Sequence, residues 1–111
     1  MNTTTNHEIS LQQAIDMTTL YRENRPANFP ICETFEKDAI NTLLAVTGCA
    51  FLRIYYGMKA DGLVDAIMVA ANADGEDILP AAAAVTGGDA VILEDGYRCP
   101  DDCPAPSPLN P

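Results

Sequence analysis

Two Ala-Asp-Gly tripeptides, at 60–62 and 73–75, interrupt runs of alternating apolar residues, and they constrain the fold more than any other feature. Residues 50–57 (AFLRIYYG) alternate with the two-residue period of a strand. One side of that strand carries Leu52, Ile54 and Tyr56, and the other carries Phe51, Arg53 and Tyr55. Residues 63–71 (LVDAIMVAA) read as the next strand, and a third begins near Asp77–Leu79. Asp-Gly supplies the positive φ that a tight hairpin turn needs. The pattern therefore predicts an antiparallel β-meander. Both faces of it are apolar: Phe51 and Tyr55 with Ala66, Met68 and Ala70 on one, and Leu52, Ile54 and Tyr56 with Ile67 and Val69 on the other. A small antiparallel sheet commonly leaves one face polar. The second face must then meet the 78–96 segment, a second subunit or a partner, and the sequence leaves these alternatives open.

Helical spacing appears ahead of the meander. Leu11, Ala14, Ile15 and Thr18 form one stripe, widened by Met17, Leu20 and Tyr21, and Ser10 with Gln13 has the spacing of a capping box. A helix is expected over about 10–24. Residues 25–33 contain two prolines and read as a connection, with a short strand in 31–35. Ala39, Ile40, Leu43, Leu44 and Val46 predict a second helix over about 36–47, ended by Gly48. Ala81–Val85 reads as a single helical turn stopped by Gly87-Gly88, and Asp89–Glu94 as a last strand. The final twelve residues hold five prolines, a density that removes backbone donors and predicts an extended tail lying across the domain. The expected fold is α+β: two helices packed on a small antiparallel β-meander, with an extended Pro/Cys-rich C-terminal tail. The organisation is a polar leader (1–9), one domain (10–98) and the tail (99–111).

Sixteen acids against six Lys and Arg give a net charge of −10, which excludes nucleic-acid backbone binding. The charge is uneven, with a net of −2 in residues 1–55 and −8 in residues 56–111. No apolar run reaches the ~18–20 residues of a membrane span, and Met1–Ser10 lacks the basic and apolar regions of a secretory signal. A cytoplasmic protein without a membrane partner is the expectation, with its cysteines reduced unless they are redox-active or metal-bound.

The four cysteines are the first candidates for chemistry. Cys99 and Cys103 stand in Cys-Pro-Asp-Asp-Cys-Pro, and Cys32 and Cys49 lie near the mouths of the expected strands, where a tail can reach them. Four thiolates can close a tetrahedral zinc site, although only one pair here has a short spacing. A disulfide or redox pair at Cys99 and Cys103 is the second reading; the third makes Cys32 and Cys49 small buried hydrophobes and the tail pair incidental or oxidised on isolation. Arg22, Arg25 and Arg53 are candidates for a carboxylate or phosphate ligand, weighed against simple pairing with nearby acids. Asn72, Asp74, Glu76 and Asp77 hold fragments of a calcium-loop pattern, but tight-turn chemistry accounts for the same residues. His7 is the single histidine and lies in the leader, so no histidine-based catalytic scheme has a candidate in the domain.

The segments NRPANFPICETF and LRIYYGM, the hairpin ending in ADGEDILP, and the terminal RCPDDCP resemble a group of small bacterial proteins of uncharacterised function. The resemblance spans most of 20–104. It implies that helix, hairpin and cysteine tail belong together, and it carries no activity or catalytic residue. Three functional expectations follow. The leading one is a non-enzymatic interaction or assembly module, as a homo-oligomer or with a protein partner. The alternative is a thiol module, either a structural zinc site or a redox pair. The weakest is a small enzyme using Arg22, Arg25, Tyr55 and carboxylates, because the chain offers no nucleophile–base pair.

Overall fold

A computed structural model describes residues 5–80 and 89–111 of the chain. The architecture is α+β. Helix α1 spans Leu11–Asn24, strand β1 Cys32–Thr34, and helix α2 Lys37–Leu44. Strands β2 (Phe51–Met58), β3 (Val64–Ala71), β4 (Asp77–Ile78), β5 (Ile92–Leu93) and β6 (Tyr97–Cys99) follow. The expected turn at Ala81–Val85 and its Gly87-Gly88 stop lie outside the described residues.

The main sheet is built on β3. Strand β2 pairs along its whole length, from Phe51 opposite Ala71 to Met58 opposite Val64. On the other edge, β4 pairs with Ala70 and Ala71, and β5 takes over at Met68 and Val69. Strands β4 and β5 thus continue one another as a single interrupted edge strand. A second, two-stranded sheet joins β1 to β6.

Both hairpins have three-residue loops. The Lys59 amide donates to the Leu63 carbonyl and the Asn72 amide to the Glu76 carbonyl, each at 2.9 Å, which leaves Ala60-Asp61-Gly62 and Ala73-Asp74-Gly75 as the loops. Gly62 and Gly75 have φ of 91° and 82°, the left-handed position at the end of such a loop. The loop length fixes the register and corrects the expected face assignment. Leu52, Ile54 and Tyr56 stand opposite Ala70, Met68 and Ala66, so these six share a face, while Phe51 and Tyr55 share the other with Ala71 and Ile67. A one-residue difference in loop length inverts such an assignment, because side chains alternate with a period of two.

The core lies on the Met68 face. Leu43, Val46, Met68 and Ala70 are buried together, with Phe35, Ile40, Cys49, Ile78, Val91 and Leu93 packed around them. Helix α2 supplies Leu43, and the turn after it supplies Val46. The Asp89 carboxylate closes that turn by accepting from the Thr47 amide (2.7 Å) and hydroxyl (2.9 Å).

Helix α1 starts as the sequence predicts. The Ser10 hydroxyl accepts from the Gln13 amide at 3.0 Å, and the Gln13 side chain accepts from the Ser10 amide at 2.8 Å. Its expected stripe is only half-buried, at Ala14, Ile15 and Thr18, and no residue of α1 is fully buried. Of the two helices, α2 therefore covers the sheet. Helix α1 is fastened at its C-terminal end, where the Tyr21 hydroxyl donates to the Pro30 carbonyl and Arg22 Nη1 to the Leu109 carbonyl. The latter bond brings Leu109 of the C-terminal segment to α1, and the Asn110 amide lies 3.9 Å from Cys99 Sγ. The segment makes turns at 100–102 and 107–110.

Candidate functional site

Strand β2 is the most exposed part of the sheet. It lies at the edge of the strand order, with β3 its sheet partner on one side. Alternation sets which of its amides that partner satisfies. Lys59 and Leu63 form a hydrogen-bonded pair, so odd-numbered β2 amides point at β3 and the amides of Leu52, Ile54, Tyr56 and Met58 point outward. The same parity holds across β3. The Val64 amide reaches the Asn28 carbonyl (2.9 Å) and the Ala66 amide reaches Glu33 Oε1 (2.8 Å). Where β5 stops, Glu33 supplies the acceptor that a neighbouring strand would have given.

The side chains of β2 are as open as its edge. Tyr56 is 78% exposed, Met58 66% and Ile54 48%, while Leu52, Phe51 and Tyr55 are each above one third. Helix α2 covers Met68 and Ala70, and the shelter ends before the β2 side of that face. Ile54 and Tyr56 border an apolar cleft of about 550 Å³ whose wall includes Tyr21, Phe29, Phe35 and Cys32. On the opposite face, Arg53 pairs with Asp77, and the Tyr55 hydroxyl donates to the same carboxylate. The Tyr55 and Arg53 donors together hold the Asp77 carboxyl below its usual range. The one charge of β2 is thereby neutralised within the chain.

A charge cluster ties the two sheets together. Asp65, 5% exposed, accepts from Arg98 Nε at 3.2 Å. Arg98 also donates to the carbonyls of Asn28 (2.7 Å) and Val64 (3.2 Å). Lys59 Nζ lies 3.2 Å from Glu94, 3.4 Å from Asp65 Oδ2 and 3.5 Å from Asp95. The Lys59–Asp65 contact is an ion pair without hydrogen-bond geometry, so among the described residues Oδ2 has no hydrogen-bond donor. Glu94 and then Asp65 raise the Lys59 ammonium pKa. Burial raises the Glu33 carboxyl pKa, opposed by the bond from the Ala66 amide, and among the described residues the buried Glu33 Oε2 has no hydrogen-bond partner. This cluster escapes sequence reading because Asp65 and Arg98 are 33 residues apart. A lone Asp inside an apolar strand was the available signal.

The structure separates the candidates proposed from sequence. Each of the three arginines is spent on an acceptor within the chain: Arg22 on Leu109, Arg25 on the Phe29 carbonyl (2.7 Å), and Arg53 on Asp77. Their acceptors are three different groups, two backbone carbonyls and one carboxylate. Asn72 and Glu76 close the second hairpin, with Asn72 Oδ1 accepting from the Asp74 and Glu76 amides at 3.0 and 2.9 Å. That is turn chemistry, and Asp77 is engaged elsewhere. Cys99 and Cys103 are joined as a disulfide, while Cys32 and Cys49 are free. Cys49 packs against the core, and Cys32 stands opposite Cys99. Among the described residues, no three His, Cys, Asp or Glu side chains are grouped to hold a metal ion, so the four expected zinc ligands are not assembled. Among the same residues, no helix is long and apolar enough to cross a membrane. No family model, curated protein or solved structure matches the chain.

Proposed function

We propose that this protein is an assembly module whose β2 edge pairs with β2 of a second copy. The observation that carries the reading is the open edge of Phe51–Met58, eight residues long with apolar side chains exposed on both faces. Edge strands invite pairing, and proteins that remain monomeric blunt them with lysine, proline, inward charge or a covering element. Strand β2 has no proline and no lysine, and its single charge is paired with Asp77. An antiparallel edge is self-complementary about a two-fold axis, so one strand serves both sides of the contact. Electrostatics favours the same surface. None of the chain's sixteen acids lies in 51–58, so two such edges meet without the repulsion that the rest of the molecule presents.

Sedimentation velocity over a wide concentration range tests this. The expected result is a concentration-dependent dimer that Ile54→Lys or Tyr56→Lys shifts strongly to monomer, with the far-UV spectrum unchanged. A single monomer species at all concentrations would contradict it.

A further inference from the structure

We propose that Cys32, Cys99 and Cys103 form a thiol–disulfide exchange site. Strands β1 and β6 pair antiparallel with Cys32 directly opposite Cys99, Glu33 opposite Arg98 and Thr34 opposite Tyr97. Directly opposed residues point to the same face with Cβ atoms about 4.5–5.5 Å apart. A disulfide needs Cα atoms within about 4.4–6.8 Å and Cβ atoms about 3.5–4.5 Å apart, so opposed strand positions meet the first condition and reach the second by closing about 1 Å. The register is held from both sides. Arg98 is anchored on Asp65 and on the Asn28 and Val64 carbonyls, and the Tyr97 hydroxyl donates to Glu36 at 2.8 Å. Cys99 therefore has two sulfur partners in reach: Cys103, four residues on, to which it is bonded, and Cys32 across the ladder.

Burial gives the exchange a direction. Cys99 is 1% exposed, Cys32 is half-buried and Cys103 is exposed. The Cys32 thiolate attacks Cys99 Sγ, an S–S bond forms between Cys32 and Cys99, and the Cys99–Cys103 bond breaks. Cys103 leaves as a thiolate on the surface and takes up a proton from water, matching the one lost by Cys32. One disulfide and one thiol are present before and after, so no external oxidant or reductant is needed. The freed Cys103 can then enter the same chemistry with a disulfide on another molecule. Once formed, the Cys32–Cys99 bond should protect the fold against unfolding more than the Cys99–Cys103 bond does, because it closes a far longer loop of the unfolded chain.

Disulfide mapping by mass spectrometry after acid quench tests the proposal in two ways. In the first, Cys103→Ser is equilibrated with oxidised glutathione. The expected product is a Cys32–Cys99 crosslink. Recovery of Cys99 as a glutathione mixed disulfide, as a free thiol or paired with Cys49 would overturn the site. In the second, the unreduced wild-type chain is held with iodoacetamide under native conditions. Carbamidomethylation at Cys103 should accumulate together with the Cys32–Cys99 crosslink, and both should vanish in Cys32→Ser. Labelling of Cys32 alone, with Cys99–Cys103 retained, would overturn it.

Discussion

Asp65 is the side chain on which the two sheets depend. It is nearly buried, and two cations face it, Arg98 from the second sheet and Lys59 from the end of the first hairpin strand. Removing one partner of a buried pair leaves an uncompensated charge, at a cost of about 3–5 kcal/mol. Arg98→Met leaves Asp65 with Lys59 as its remaining cation, so it should lower the unfolding free energy in urea by less than that, about 1–3 kcal/mol, and Asp65→Asn with Arg98→Met together should recover part of it. Leu43 is the other sensitive position, fully buried at the centre of the core. Leu43→Ala should cost about 2–5 kcal/mol in the same measurement. Glu33 gives a pH dependence of definite sign. Burial raises its folded-state pKa above the ordinary value near 4.5, so the folded state holds the proton more tightly than the unfolded chain. Its contribution is full below the unfolded value and is lost as pH rises through the folded one. Asp77 and Asp89 act in the opposite sense. Their carboxyls are lowered by the Tyr55 and Thr47 donors respectively, so they contribute above about pH 3.8 and lose that contribution as pH falls. Glu33→Gln keeps an acceptor for Ala66 and should flatten the decline in stability above pH 4.5. An unchanged pH profile in that variant would assign the decline to other groups.

At the scale of elements, the hairpins and helices differ in how far local sequence decides them. The capping box of Ser10 and Gln13, the Asp-Gly turns and the alternation of 50–57 are all local, and each forms the element that its residues predict. Loop length is also local, but its effect on the face assignment is not. Three residues rather than two at 60–62 put Ala66, Met68 and Ala70 beside Leu52, Ile54 and Tyr56. Tertiary partners were less legible. The guanidinium of Arg22 meets a carbonyl 87 residues away, and the acceptor for the Ala66 amide is a side chain from β1. Periodicity carries no record of such pairings. Helix α1 shows the limit most clearly, since its apolar stripe is present and yet no residue on it is fully buried. Ser10→Ala, which removes about 1 kcal/mol of capping, should reduce helical circular dichroism more than it moves the global unfolding midpoint. Equal losses in both would mean that α1 is integral to the cooperative unit.

Over the whole molecule, the surface is divided between charge and apolar exposure. The acids gather in the second half of the sequence, while β2 presents no carboxylate on an open strand edge. Self-pairing through β2 would cover the outward amides of the strand and its apolar side chains in one contact. Hydrogen exchange followed amide by amide, at low and high protein concentration, tests this most directly. The amides of Arg53 and Tyr55, directed at β3, should be protected at both concentrations. Those of Leu52, Ile54, Tyr56 and Met58 should gain protection only as concentration rises. Fast exchange of these four at every concentration would contradict pairing through β2.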